Sequence, residues 1–257
     1  MVQSVQRAVQ ILRLLSAGGP RLGLAELAER VGVAKPTVHA LLRTLEAEGL
    51  VAQDRQTGRY VLGPGVLALG NAFLETHELR MRSLTWADLL AARVGEAVWV
   101  AVLTGDHVLV VHHAFRPEGA VQILEVGASI PWHTCALGKA IAAFLPEQRQ
   151  AELLAAPLPP LTGQSLTDPD ALDAQLAQVR TTGYAVEDQE STLGDAGIAA
   201  PVFDRSGLAG AIGVVGPVER LLADGRSRDL AVQVREVARQ LSRELGAGRA
   251  AVGRAPA

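Results

Sequence analysis

Apolar residues recur at three- and four-residue spacings from residue 3 to 17, where Val5, Ala8, Val9, Leu12 and Leu15 share a stripe and Arg7 and Arg13 fall off it. That spacing predicts a first helix, stopped by Gly18-Gly19-Pro20. Residues 24 to 30 predict a short second helix, broken by Gly32, and residues 35 to 48 a third, closed by Gly49. The period then drops to two. Residues 50 to 53 and 59 to 62 predict short strands around Asp54-Arg55-Gln56-Thr57-Gly58, a polar turn ending on glycine.

Gly63-Pro64-Gly65 punctuates the chain, and residues 66 to about 81 predict a linker helix with Leu67, Leu69, Phe73 and Leu74 on its apolar side. A further helix is expected over 84 to 94. A hairpin of strands 97 to 103 and 107 to 113 then turns at Thr104-Gly105-Asp106, followed by a strand near 121 to 125. A helix over 136 to 144 precedes a Pro-studded loop over 157 to 169, expected to be exposed. Then come a helix over 170 to 182, a strand over 184 to 188, a hairpin of 196 to 203 with 208 to 215, and a long helix over 221 to 245. The expected organisation is α+β: a winged helix-turn-helix over 1–63, a linker helix over 64–83, a mixed domain over 84–246 and a frayed tail over 247–257.

A length of 257 residues suits two domains, and 49% hydrophobic with 20% charged residues is globular rather than disordered. Only 4% is aromatic, which disfavours stacking on single-stranded bases. There is no basic start followed by an apolar run, and no stretch of 18 apolar residues, so a cytoplasmic protein with no membrane association is expected. Cys135 is the one cysteine, which excludes an intramolecular disulfide and a multi-thiolate metal centre. Net charge is −3, the wrong sign for a DNA binder until the chain is divided. Residues 1 to 62 carry eight Lys/Arg against five acids, a net of +3, and the remainder carries −6. A basic head on an acidic body confines phosphate attraction to one end.

A helix-turn-helix needs a small residue where its helices touch and a glycine at the turn; Ala28 and Gly32 supply them. Leu27, Val31, Val33, Val38 and Leu41 fit the apolar positions that pin the pair. In that register the recognition helix presents Lys35, Thr37, His39 and Arg43 outward, with Pro36 in its first turn where the missing N–H costs nothing. Thr37, His39 and Arg43 are candidates for base edges, Lys35 for phosphate or base, and Arg55 and Arg59 on the wing for backbone or minor groove. Ser4 and Arg7 are further candidates for a phosphate.

Gln3-Ser4-Val5-Gln6-Arg7-Ala8-Val9-Gln10-Ile11-Leu12, the helix-turn-helix and Tyr60-Val61-Leu62-Gly63 resemble the isocitrate lyase regulator (IclR) family of bacterial transcription regulators. The resemblance extends through Pro131-Trp132-His133-Thr134-Cys135-Ala136-Leu137-Gly138-Lys139-Ala140, Gly183-Tyr184 with Glu187-Asp188-Gln189-Glu190, and Gly197-Ile198-Ala199-Ala200-Pro201-Val202. It implies a GAF-like effector domain binding a small metabolite, commonly an organic or aromatic acid, and homodimers, often paired into tetramers, on double-stranded operator DNA. It also points to Ala136, Leu137, Glu187, Asp188, Gly197 and Ile198 as effector-lining positions, with Trp132 standing where a smaller residue is common. His133 and Cys135 flank a helix start whose N–H groups would receive a carboxylate, and Lys139 is an anion partner to weigh. Glu187 and Asp188 alternate on a strand, so one of them can face a pocket.

Two alternatives remain. A metal sensor would gather His112, His113, His133 and Cys135 with Glu187 or Asp188, although adjacent strand histidines face opposite ways. An enzyme would pair Cys135 with His133, but no third orienting group is indicated. No catalytic residue, resident metal or cofactor is therefore assigned.

Overall fold

A computed structural model of the protein describes residues 2–17, 21–118 and 122–248. The chain divides into two compact units, one ending at Thr76 and one beginning at His77.

In the first unit, α1 (Gln3–Ser16), α2 (Leu24–Val31) and α3 (Lys35–Ala47) close over a core of Ile11, Leu27, Val38 and Leu42. Leu42, rather than the neighbouring Leu41, is the fully buried member of that pair. Gly32 takes φ +73 and returns its N–H to the Ala28 carbonyl, ending α2 in the left-handed turn that a side chain resists. Strands β1 (Val51–Gln53) and β2 (Tyr60–Leu62) form the wing, paired Val51 to Leu62. Leu22 adds a bridge to Tyr60 that the sequence pattern did not signal. A Cβ on Gly63 would stand 2.3 Å from the Gly49 carbonyl oxygen, so glycine permits the wing's exit to pass the end of α3.

The expected helix over 66 to 81 is two helices. α4 (Gly65–Thr76) closes the first unit, and α5 (Glu78–Val94) opens the second after one extended residue, His77. No glycine or proline marks that break in the sequence.

The second unit is built on a six-stranded antiparallel sheet in the order β5-β4-β3-β8-β7-β6. Its strands are β3 (Ala97–Thr104), β4 (His107–Ala114), β5 (Ser129–Pro131), β6 (Ala185–Asp188), β7 (Asp195–Phe203) and β8 (Leu208–Pro217). One face is covered by α6 (Ala136–Ala142), α7 (Glu147–Ala155) and α8 (Pro169–Thr182), whose Leu137, Ile141, Leu153, Leu172 and Leu176 pack on small sheet residues such as Ala199 and Ala211. The other carries α5 and α10 (Arg226–Glu244), with α9 (Val218–Leu221) leading in. Glu96, only 2% exposed, takes Arg220 at 2.8 Å and Arg226 at 3.1 Å, fastening the α9–α10 segment to the start of β3.

Three expectations change here. Residues 122 to 125 form no strand; Ile123 and Leu124 are exposed, and β4 pairs with Ser129–Pro131 instead. α7 was not foreseen, because Leu153 is its one buried residue and leaves little periodic signal. The last long helix is interrupted between α9 and α10, where Gly225 takes φ +78. The expected frayed tail falls outside the described residues from 249 onward.

Candidate nucleic-acid interface and ligand cavity

On α3 the buried positions Val38, Leu42 and Leu45 hold one face against the core. Helical geometry then leaves Lys35, Pro36, Thr37, His39 and Arg43 exposed. Ala34 caps α3 without a side-chain bond, and Pro36 sits in the first turn. Ser4 is exposed and Arg7 half-buried at the start of α1.

The two wing arginines differ. Arg55 is exposed in the turn that Asp54 organises by accepting the N–H groups of Gln56 and Thr57 at 2.9 and 3.0 Å. Arg59 donates instead to the Arg21 carbonyl at 2.5 Å and to Glu26 Oε2 at 3.2 Å, and Glu26 also accepts the Gly23 N–H that opens α2. Arg59 thus binds the wing to the helix-turn-helix. Arg21 makes a further ion pair with Asp54.

In the second unit a small cavity of about 50 Å³ lies between α6 and the sheet. Its walls include Cys135, Ala136, Leu137, Glu187 and Gly197 among the positions expected from the sequence. Trp99, Ser191, Thr192, Asp195 and Ala199 line it as well. A Cβ on Gly197 would lie 3.3 Å from both the Ala136 Cβ and Glu187 Oε2, so this glycine keeps the space between them open.

The remaining expected positions lie elsewhere. Asp188 is exposed while Glu187 is buried, as strand alternation requires. Ile198, buried between Gly197 and Ala199 on β7, faces the opposite side of the sheet from those two. His133 is buried, with its Nε2–H donating to the Pro159 carbonyl at 3.2 Å, and is not a cavity wall. Trp132 is core rather than wall: its backbone approaches α6 so closely that a Cβ on Gly138 would stand 2.1 Å from the Trp132 carbonyl oxygen.

Lys139 is 1% exposed, and its ammonium lies 2.5 Å from Glu190 Oε1. Glu190 also accepts the Leu166 N–H, and its carbonyl accepts the Ser165 hydroxyl at 2.7 Å. The Pro-rich loop is therefore stapled to the β6–β7 turn, although much of its surface is exposed as expected. Glu187 Oε1 accepts the N–H groups of Glu190 and Ser191 at 2.7 and 3.2 Å. Burial dominates at Glu187 and pushes its pKa up to about 7, against those two hydrogen bonds; Glu190 raises it further and Lys139 opposes. Burial also raises Asp195, with Glu219 adding to the effect.

Cys135 caps α6 by accepting the Gly138 N–H at 3.4 Å, and burial pushes its thiol up to about 12, which removes the thiolate a nucleophile needs. That bond takes the Gly138 N–H, next in line after the Cys135, Ala136 and Leu137 donors expected for a carboxylate. His113 accepts the Glu125 N–H and packs against Trp99 and Phe115. Among the described residues no three His, Cys, Asp or Glu side chains are grouped to hold a metal.

A helix-turn-helix with an exposed polar row, on a chain with a separate α+β second unit, defines a transcription regulator of the two-unit kind. The chain belongs to the IclR family: the IclR helix-turn-helix domain matches residues 4–55 and the bacterial transcriptional regulator IclR C-terminal domain matches residues 71–243. It is 48% identical over 250 residues to the glycerol operon regulatory protein of Streptomyces griseus, covering 96% of this chain and 98% of the relative. The protein of that name from Streptomyces coelicolor is 46% identical with the same coverage. An IclR transcriptional regulator from Alicyclobacillus acidocaldarius superposes with a TM-score of 0.82 at 31% identity, over 96% of this chain and all of that one. These proteins are regulators, not enzymes, which excludes the Cys135–His133 alternative.

Proposed function

We propose that the protein is a cytoplasmic regulator that binds double-stranded operator DNA through α3 and releases or engages it when a small molecule occupies the cavity beside α6. The exposed row Lys35, Thr37, His39 and Arg43 carries this reading, because those side chains project from a helix whose opposite face is locked in the core. Arg55 supplies phosphate attraction from the wing. The protein acts as a homodimer, because two recognition helices about 34 to 36 Å apart reach successive major grooves, and the resemblance implied further pairing into tetramers on DNA.

The two glycerol operon regulators, similar over almost their whole length, support control of glycerol-utilisation genes. The resemblance implied an organic or aromatic acid as effector. Such an acid would meet the carboxyls of Glu187 and Asp195 and, among the described residues, no cationic lining side chain. A metal-sensing role has no grouped donor set among the described residues to support it.

The test is a mobility shift with duplexes spanning the promoter regions of glycerol-utilisation genes, against random duplex of equal length. Retention of the promoter duplex alone is expected. Equal retention of both duplexes would defeat the assignment of α3 as a sequence reader.

A further inference from the structure

On the footing that the protein is a ligand-responsive regulator, we infer that the cavity takes a small uncharged polyol of the glycerol class, unphosphorylated, whose hydroxyls donate to Glu187 and Asp195. Three features carry this. The first is charge. Both ionisable oxygen ligands in the lining are carboxyls, and the nearby Lys139 ammonium is already held by Glu190 and shut from solvent. A phosphate or carboxylate there would be a buried anion without a counter-charge.

The second is the pattern of vacant acceptors. Glu187 Oε1 is occupied by two backbone N–H groups, whereas Oε2 lies over Gly197 with no donor among the described residues. The Asp195 carboxyl likewise receives no hydrogen bond from the described residues, and the Ser191 and Thr192 hydroxyls beside it can donate or accept. The third is the apolar part of the lining. Trp99, Leu137 and Ala199 offer an apolar surface to the carbon side of a polyol, the usual division of a ligand site into apolar wall and a few placed polar groups.

A hydroxyl donates best to an ionised carboxylate, so polyol affinity rises with pH through the raised pKa of Glu187 and levels above it. An anion would show the opposite sign, since it needs Glu187 protonated. Glu190, Lys139, Cys135 and Asp195 are the other titratable groups about this carboxyl.

The experiment is calorimetric titration of the full-length protein at about pH 6, 7 and 8 with glycerol, glycerol phosphate, lactate and 2-aminopropane-1,3-diol. The same four compounds are added to the promoter mobility shift. Glycerol is expected to bind and change promoter retention, with affinity several-fold higher at pH 8 than at pH 6. Glu187→Gln should weaken it about tenfold and flatten the pH dependence, losing one charge-assisted bond. Asp195→Asn should weaken it and keep the pH dependence, and it carries the test if Glu187→Gln does not fold. Tighter binding of glycerol phosphate, lactate or the amine, affinity that falls with rising pH, or binding by none of the four would overturn the polyol class and leave the regulator standing. Glycerol binding without retention of the promoter duplex would instead defeat the assignment to glycerol-utilisation genes and leave the polyol class standing.

Discussion

Arg43 and Arg59 carry the same charge but differ in what they are free to do. Arg43 is exposed on α3, whereas Arg59 is committed to Glu26 and the Arg21 carbonyl. Arg43→Ala should cost about 1 to 3 kcal/mol on the true operator and little on random duplex, with no change in melting temperature. Arg59→Ala should cost about 0 to 1 kcal/mol of stability, since both members of its ion pair are more than two-fifths exposed. Parallel binding and melting curves check both; an Arg43→Ala loss equal on both duplexes would remove it from the readout. Glu187 gives a second residue-level expectation. Its folded pKa stands at about 7 against an ordinary 4.5, so its protonated form is the one folding favours. The resulting stability is complete below about pH 4.5 and is lost as pH rises to about 7. Wild type should therefore lose melting temperature relative to Glu187→Gln between pH 5 and pH 8. A gap that stays constant or widens in favour of wild type would contradict the raised value.

At the scale of elements, the β6–β7 turn and the Pro-rich loop behave as one piece. Ser165 accepts the N–H groups of Leu161 and Thr162, both at 3.0 Å, and donates to the Glu190 carbonyl, while Thr162 donates to the Gln189 carbonyl at 2.7 Å. Gln189 sits at φ +59, a left-handed backbone that this staple helps to hold. Ser165→Ala should cost about 1 kcal/mol and speed amide exchange across residues 189 to 194, leaving exchange in α3 unchanged. Exchange confined to residues 161 to 166 would mean the two segments are independent. This staple also marks what the sequence could not reveal. Helix spacing and the Gly32 turn made the helix-turn-helix legible almost residue by residue, because local periodicity determines it. Ser165 and Glu190 meet through tertiary packing across 25 positions, which no local pattern encodes. The cavity lies between these extremes. Resemblance supplied Gly197, and period two from Gly197 would have added Asp195 and Ala199 and removed Ile198; treating neighbours 197 and 198 as one site broke that rule. The break at His77 has no glycine or proline to announce it, so it was out of reach.

At the scale of the whole molecule, the basic head and acidic body carry opposite net charge, so salt and ligand should act on operator binding by separable routes. Salt acts through released counterions at the phosphates, and Arg55→Ala, if it removes one phosphate contact, should lower the slope of log affinity against log salt by about one. The cavity ligand acts through the second unit and should shift affinity at every salt concentration without altering that slope. Thermodynamic linkage makes the relation between the sites stricter still. Whatever factor the ligand applies to operator affinity, operator DNA must apply to ligand affinity, because both measure one coupling free energy. Titrating ligand into free protein and into protein saturated with operator duplex, beside titration of duplex with and without ligand, measures that factor twice. The two values should agree within error, at about 5- to 150-fold for a coupling of ordinary size. Agreement requires only that ligand and duplex bind the same protein and that each alters the other's affinity. A ligand factor on DNA with no matching DNA factor on ligand would mean that the compound acts on the duplex rather than on the protein, and a matched factor that Glu187→Gln leaves unchanged would remove the cavity beside α6 as the controlling site.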